Sequence, residues 1–509
     1  MIVSDLRDFP DRLSPIVVKE LRQGLRQKSF VVVFILLQIA LAFMAFGTIS
    51  GTEAVTPESI TAGQKLSAFY FSLLGVAAMM IQPMRGLQAL ASEKSGRTLD
   101  LLLLTRLDAW SVTSGKWLAL ISQTALIMVS VLPYLMMRYY LGGMQLFGEL
   151  LSLFCLFCVS ACLTSLTVGL SATKSSIIRQ IFGVILILGI LFCSLAFGLE
   201  RIFSSRMHSS LALDPSTPGF VWMFLIALLL LGFLTYYFLE IGATLIAPIA
   251  ENRSTRKRVL GLLVMILLGF QDTLYIYVIG ISFVIMVILA VDALTERPEF
   301  TASVTRPFVR FGWPGRLFGR FFYPGAVSGT LYLLLLLTVF AATTYTTSSS
   351  KDEIFGMIAI AIIALTVLLY SLFITTFLRR KPFSNAMPSL LIVLLGSVIL
   401  STFIDASDLL DLLPNTWQNG LVVYTFFPMG ALFEGAESST RSFGISPSIS
   451  SREGMYVCAS LALIFAIYWG LYYLRLRPFR QRMVMMEKIA MQEINPPAPQ
   501  PKDEENGPA

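Results

Sequence analysis

The chain is short of charge, of histidine and of cysteine, and each shortage argues against a class of protein. Only 14% of its 509 residues are Asp, Glu, Lys or Arg, whereas soluble globular domains have about 25%. The single histidine, His208, argues against a histidine metal site and against a histidine-based catalytic relay. The five cysteines all lie inside apolar runs and give no disulfide framework. We therefore predict neither a soluble domain nor a metal or disulfide scaffold.

What the chain has instead is a series of apolar runs of about 20 residues, the length that crosses a hydrocarbon core. In that core only helices or closed barrels satisfy every backbone group, and unalternated runs indicate helices. We predict an all-α fold, a polytopic membrane helix bundle of about 12 transmembrane helices in two six-helix halves. The predicted spans are 30–49, 66–84, 117–137, 146–172, 177–199 and 219–246, then 259–271, 274–294, 325–346, 354–378, 387–404 and 455–474.

The basic residues predict the orientation of these spans. With the N-terminus inside, 31 of the 38 Lys and Arg residues fall in inner segments. This bias follows the positive-inside rule, so we predict that both termini are cytosolic. The net charge of +7 then reflects membrane topology. Because no basic patch is interleaved with aromatics on a soluble face, we predict no nucleic-acid partner; the predicted surroundings are the lipid bilayer.

The pattern of runs and polar segments divides the chain into four parts. Residues 1–29 are a cytosolic N-terminus with an amphipathic helix, and 30–250 are the first six-helix half, with a cytosolic segment at 85–116. Residues 251–475 are the second half, and 476–509 are a cytosolic helix with a disordered tail. The halves share a rhythm that fits a pseudo-two-fold axis along the membrane normal. The alternative, that any two six-span bundles look alike at this level, stays open.

Two later segments have their own chemistry. Residues 306–316 are interrupted by prolines and glycines, which predicts that they cannot hold one long helix. Arginines alternate with aromatics there, a pattern that suits the headgroup layer of a membrane. Residues 479–494 predict a helix with its methionines on the lipid side.

The first cytosolic segment resembles a known family. Glu93, Gly96, Thr98, Leu99 and Asp100 precede four leucines, and Gly115-Lys116 follows. This order resembles the inner loop of type-two ATP-binding-cassette (ABC-2-like) exporter permeases. The opening 14–22 is similar to the family's elbow helix, which lies on the inner membrane face. The likeness covers about the first 250 residues, and the second half matches only in layout. Arg97, inserted before Thr98, and Arg106, where proline is frequent, depart from the pattern.

The resemblance implies a permease subunit that docks a separate cytosolic ATPase through 90–116 and works in export. The docking residues that it implies are Glu93, Arg97, Thr98, Asp100, Leu101, Leu102, Leu103 and Leu104. The sequence contains no Gly-x-x-x-x-Gly-Lys-Ser/Thr phosphate cradle, so ATP is expected on the partner and the chain is expected not to be an enzyme. One chain supplies both halves of the transmembrane unit, or it pairs with a second copy of itself or another permease. The expected location is the cytoplasmic (inner) membrane of a prokaryote.

Other interpretations remain open at this stage. The chain could instead be an ion-coupled secondary transporter that needs no ATPase, with Glu240 and Asp292 as carboxylates on its pathway. The segment 90–116 could also be an ordinary connecting helix on the lipid surface. Cys155, Cys158 and Cys162 share one helix face, where they suit packing between helices better than soft-metal binding.

Overall fold

The computed structural model describes residues 15–50, 62–96, 108–140, 146–173, 179–180, 183–184, 220–248, 251–270, 275–296, 301–347, 351–378 and 451–494. Within these ranges the chain forms helices and short connections, with no strand. The chain divides into two compact units, Met1–Ala247 and Pro248–Ala509. The prediction of an all-α fold is confirmed for the described residues.

The first unit begins with a short helix, followed by long apolar ones. Its helices are α1 (Pro15–Leu25), α2 (Lys28–Ser50), α3 (Ala62–Gly75), a π-helical turn (Val76–Ile81), α4 (Gln82–Gly86), α5 (Ala91–Ser95), α6 (Ala109–Tyr140), α7 (Leu146–Ser171) and α8 (Phe220–Ile246). The second unit has α9 (Ser254–Leu268), α10 (Tyr275–Thr295), α11 (Ala302–Val309), α12 (Gly312–Phe322), α13 (Ala326–Thr347), α14 (Lys351–Leu378), α15 (Ser451–Arg475) and α16 (Arg477–Ile494).

Six of the described helices are long and apolar enough to cross a membrane. Four lie in the first unit and two in the second: Lys28–Gly47, Ala109–Met137, Leu146–Ser171, Phe224–Ile246, Val278–Thr295 and Ala326–Thr347. These helices suggest a multi-pass membrane protein. Shorter apolar helices cover Met357–Phe373 and Leu461–Arg475. The predicted spans 177–199 and 387–404 lie outside the described residues, apart from 179–180 and 183–184.

The predicted span 66–84 is not one regular α-helix. The π-helical turn Val76–Ile81 interrupts it just before Pro83. A proline inside a helix has no N–H to donate and its ring crowds the carbonyl four residues earlier, so a widened turn relieves the clash. Ser160 of α7 donates a hydrogen bond of 2.6 Å to the Ala78 carbonyl within this turn. The interruption is therefore supported from a neighbouring helix.

Helices α7 and α8 cross closely because both have a glycine at the crossing. A Cβ atom on Gly242 would lie 2.9 Å from the Cα of Gly169, closer than real Cβ atoms approach. Small residues at such a crossing let membrane helices pack backbone to backbone. Along α7 the hydroxyls of Thr164, Ser165 and Ser171 donate to carbonyls of their own helix. Buried polar groups are thus satisfied without breaking the close packing.

In the second unit, α10 and α13 pack directly against each other, the short helices α11 and α12 connect them along the chain, and α16 packs against α11. Residues 306–316 fall in these two short helices, which meet at Arg310 and Phe311. The prediction that this stretch cannot hold one long helix is confirmed. The predicted helix at 479–494 is also found, as part of α16. Its methionines do not all face outward, because Met483 is buried, so that part of the prediction is wrong.

Candidate functional site

The predicted docking segment 90–116 is described at its two ends. Arg97, Thr98, Asp100, Leu101, Leu102, Leu103 and Leu104 lie outside the described residues. The two ends, 90–96 and 108–116, lie at α5 and at the start of α6. What the structure adds is how these ends are held.

Glu93 is held by an ion-pair cluster that joins three helices. The Lys116 Nζ of α6 lies 2.8 Å from the Glu93 Oε1 of α5 and 2.9 Å from the Glu20 Oε1 of α1. Lys116 is only 5% exposed, so its charge requires nearby carboxylates. The sequence offered Glu93 as a docking residue. The geometry gives it a second role, fixing α5 to the helix that precedes the apolar spans.

Leu90 anchors the same end of the segment as Glu93, three residues earlier in the chain. It is buried among Ala109, Val112, Val168 and Ala243, on the ends of α6, α7 and α8. Its backbone N–H donates to the Ser171 Oγ at 3.2 Å. The Leu90 side chain thus buries apolar area, while the N–H bond satisfies a polar group in the same place. A displacement of the segment would therefore also displace the ends of three candidate membrane helices.

Helix α1 lies against the same end of α6. Val17 is buried, and a Cβ atom on Gly115 would lie 3.0 Å from the Ile16 side chain. The opposite side of α1 exposes Lys19 and Arg22. This division into a packed apolar side and an exposed basic side is the pattern of a helix on a membrane surface.

Arg85 joins three glutamine side chains through its guanidinium. The sequence alone showed it only as one of the positive charges of the inner segments. Its guanidinium donates to Gln123, to the Gln27 Oε1 at 2.8 Å and to the Gln82 Oε1 at 3.2 Å. It also lies 5.5 Å from the centroid of the Phe30 ring. The signal for this link was available, since Gln82 and Gln123 are amides next to or within apolar runs. Which basic residue they bind required the fold.

The two predicted pathway carboxylates lie in different units and in different surroundings. Glu240 is fully buried in α8, in the part of the first unit that crosses α7. Asp292, near the end of α10, accepts hydrogen bonds from the Lys257 Nζ at 2.9 and 3.2 Å. Asp292 is thereby part of a larger ion-pair cluster.

That second cluster centres on Arg258, which is 1% exposed. Its guanidinium donates to the Glu296 Oε2 at 2.8 Å, to the Tyr323 carbonyl at 2.7 Å and to the Ser328 Oγ at 2.7 Å. The planar fork of arginine suits this arrangement, because one side chain satisfies several acceptors at once. Arg258 therefore ties the connection between α12 and α13 to the end of α10.

Gly325 and Glu296 complete the cluster. The Glu296 Oε2 accepts from the Gly325 N–H at 3.1 Å, and Gly325 has a φ of +105° that side chains other than glycine rarely adopt. Burial alone would raise the pKa of Glu296, but Lys257 and Arg258 lower it below its usual value. Burial alone would lower the pKa of Lys257, but the carboxylates of Asp292 and Glu296 raise it. Lys257 and Glu296 are therefore both charged near neutral pH.

The first unit also has an apolar cleft between α6, α7 and α8. Its volume is about 430 Å³, and its lining includes Trp110, Trp117, Cys158, Gly232 and Tyr236. Trp117 donates its indole N–H to the Ala161 carbonyl at 3.0 Å, so the ring is fixed. An apolar ligand or acyl chain suits such a lining better than an ion does.

No family model, curated protein or solved structure matches this chain.

Proposed function

We propose that this chain is the transmembrane permease subunit of an ATP-driven exporter, which docks a separate cytosolic ATPase through the segment 90–116. The observation that supports this most is the anchoring of the segment at both ends. Leu90 is buried among the ends of α6, α7 and α8, and Glu93 is bound to Lys116. A docking element has to be coupled in this way if closure of an ATPase is to move membrane helices.

In this mechanism the partner binds and hydrolyses ATP, and the chain transmits the movement. The leucines 101–104 would fill an apolar groove of the ATPase, while Arg97 and Asp100 would set the register. Force on the segment would reach α6 through Lys116 and the ends of α7 and α8 through Leu90. The cleft between these three helices is the part of the first unit best placed to change shape. The location proposed for the complex is a prokaryotic cytoplasmic membrane, with both termini on the cytosolic side.

The test is purification of the full chain from its native membrane, followed by identification of the chains that accompany it. We expect an ATPase at a stoichiometry that matches the permease. Leu102→Asp should reduce its recovery at least tenfold, because a carboxylate in an apolar groove leaves a charge without its water. Lys488→Glu, on the exposed side of α16, is the matched control and should leave recovery unchanged.

The second candidate function is ion-coupled transport without an ATPase, and the burial of Glu240 in α8 favours it. It predicts that the purified chain alone dissipates a pH gradient across liposomes, measured with an enclosed pH-sensitive dye. Glu240→Gln should abolish that activity. Recovery without any ATPase, together with gradient dissipation that requires Glu240, would replace the first proposal with this one.

A further inference from the structure

The helices α11 and α12 connect two candidate membrane helices. Helix α10 ends at Thr295, α12 ends at Phe322 and α13 begins at Ala326. Because α10 and α13 each have the length to cross a membrane, both short helices lie on one side of it. Only three residues separate α12 from α13, so α12 cannot lie far from the membrane surface.

The Arg258 cluster fixes the depth of α12 more closely. One guanidinium donates to the carbonyls of Phe321 and Tyr323, at 3.2 and 2.7 Å, and lies 3.5 Å from the Ala293 carbonyl of α10. The Thr255 hydroxyl donates to the Phe322 carbonyl at 2.8 Å. The C-terminal end of α12 is thereby held level with the end of α10. With α10 crossing the bilayer, as its length and composition indicate, that level is the boundary between hydrocarbon and headgroups.

The side of α12 that faces away from the protein exposes large apolar side chains, with Arg320 exposed among them. Gly319 and Phe322 face inward and are buried. Large apolar side chains are exposed on the outward side: Trp313 is 70% exposed and Phe318 is 65% exposed, and Leu317 is exposed beside them. Phe311, the residue before the helix, is 77% exposed. A contiguous apolar surface of this kind indicates a binding partner or a membrane. Aromatic residues in particular are enriched where hydrocarbon meets water.

The charged residues within this stretch of the chain are all basic. Residues 301–322 contain four arginines and no Asp or Glu. Arg320 lies 3.4 Å from Glu487 of α16, and Arg316 lies 3.7 Å from the sulfur of Met491. Arg306 and Arg310 are exposed. The guanidinium fork binds phosphate oxygens in pairs, so the surface is complementary to a phosphate-bearing layer.

We propose that α12, with the arginines that flank it, is an interfacial binding surface for anionic phospholipid. The exposed side chains of Trp313, Leu317 and Phe318 lie among the upper acyl carbons, and Arg306 and Arg310 bind headgroup phosphates. A helix that is apolar on its outer side and basic at its edges binds a membrane in this manner. This inference does not depend on docking of an ATPase, and it concerns the other unit of the chain.

The first arm of the test measures position. Leu317→Cys is labelled with a small fluorophore in the full chain, which is then placed in nanodiscs that contain lipids with a nitroxide high on the acyl chain. We expect strong quenching. Gln492→Cys, exposed near the end of α16, is the control and should be quenched several-fold less. The chain with only its native cysteines, treated in the same way, gives the background.

The second arm measures lipid selectivity. The full chain in nanodiscs of mixed phosphatidylglycerol and phosphatidylcholine is released, and the retained lipids are counted by native mass spectrometry. Arg306→Gln with Arg310→Gln should lower the ratio of anionic to neutral lipid by about fivefold for each arginine. An unchanged ratio overturns the proposal. So does equal, weak quenching at positions 317 and 492, or protection of position 317 by a protein chain that binds there instead of lipid.

Discussion

The polar segments 85–116 and 295–324 occupy similar places in the two units, since each follows an apolar stretch and precedes a candidate membrane helix. They are attached differently. The first is anchored by one lysine shared between two glutamates, Lys116 with Glu20 and Glu93. The second is attached through Arg258, which also binds several backbone carbonyls. Lysine offers a compact charge and arginine a fixed fork, so the first attachment is the simpler to release.

The outward chemistry of the two segments differs as well. The first presents an acidic and basic sequence followed by leucines, which suits a protein groove. The second presents aromatics and arginines without acidic residues, which suits a phosphate-rich layer. Equivalent positions in the order of helices therefore do not imply equivalent partners. The following changes test this contrast.

The largest effect is expected at Arg258. Arg258→Met leaves Glu296 without its closest basic partner and leaves several carbonyls without a donor, so the free energy of unfolding should fall by about 4 kcal/mol. Arg258→Lys should recover only part of this, because an ammonium cannot replace the planar fork. Denaturation in detergent, followed by circular dichroism, provides the measurement. The exposed neighbour Arg256, changed to Gln, is the control. Equal stability of both variants would contradict the structural role of Arg258.

A smaller loss of stability, measured as the free energy of unfolding, is expected from Lys116→Met. Glu20 and Glu93 would then face each other without a cation, at a cost of about 3 kcal/mol, reduced by the partial exposure of both carboxylates. Adding Glu20→Gln and Glu93→Gln should restore stability, since the repulsion disappears. Failure of this rescue in the same denaturation assay would show that the cluster does not hold α5 to α1.

The pH dependence of stability should reflect the ion pairs of the second unit. Glu296 has a lowered pKa, so its stabilisation is present above the ordinary value of about 4.3 and is lost as pH falls through the lower folded value. Lys257 has a raised pKa, so its stabilisation is present below about 10.4 and is lost as pH rises through the higher folded value. We expect flat stability between about pH 5 and 9 from this cluster. Glu296→Gln should remove part of the acid-induced loss in thermal unfolding. An identical acid slope in the variant would argue against the pairing.

The smallest effect separates helix packing from the polar attachments. Gly242→Ala places a Cβ atom against Gly169 and should cost about 1–3 kcal/mol. Gly232→Ala, on the same helix α8, adds its methyl to open space in the cleft and should change stability little. Both are measured by thermal unfolding of the purified chain. Equal losses would mean that α7 and α8 do not cross at these glycines.

The apolar runs in the sequence predicted much of the helical fold. Helix α7 starts at Leu146, the predicted first residue of that span, and α13 starts one residue after its predicted first residue. This succeeds because hydrocarbon tolerates only internally satisfied backbone, so run length determines helix length. The π-helical turn was missed although Pro83 lies inside the predicted span. The described residues contain six candidate membrane helices, so the total of about 12 stays a prediction.

The polar contacts were less predictable because each joins residues far apart in sequence. Asp292 was singled out as a carboxylate in an apolar run, but its partner Lys257 lies on another helix and was counted as a topology signal. Glu296 was overlooked, although it follows Asp292 by one helical turn. Likewise, Glu93 was selected from a family resemblance, and its attachment to Glu20 through Lys116 depends on how α1 packs. Composition identifies such residues, but only the fold pairs them.

The most direct test of the central claim is site-specific crosslinking in native membranes. A photoreactive amino acid replaces Leu102 in one sample and Leu317 in another, and the covalent products are identified by mass spectrometry. The account predicts an ATPase chain attached at position 102 and phospholipid attached at position 317. Lipid alone at position 102, with no ATPase chain attached there, would contradict the proposed docking segment.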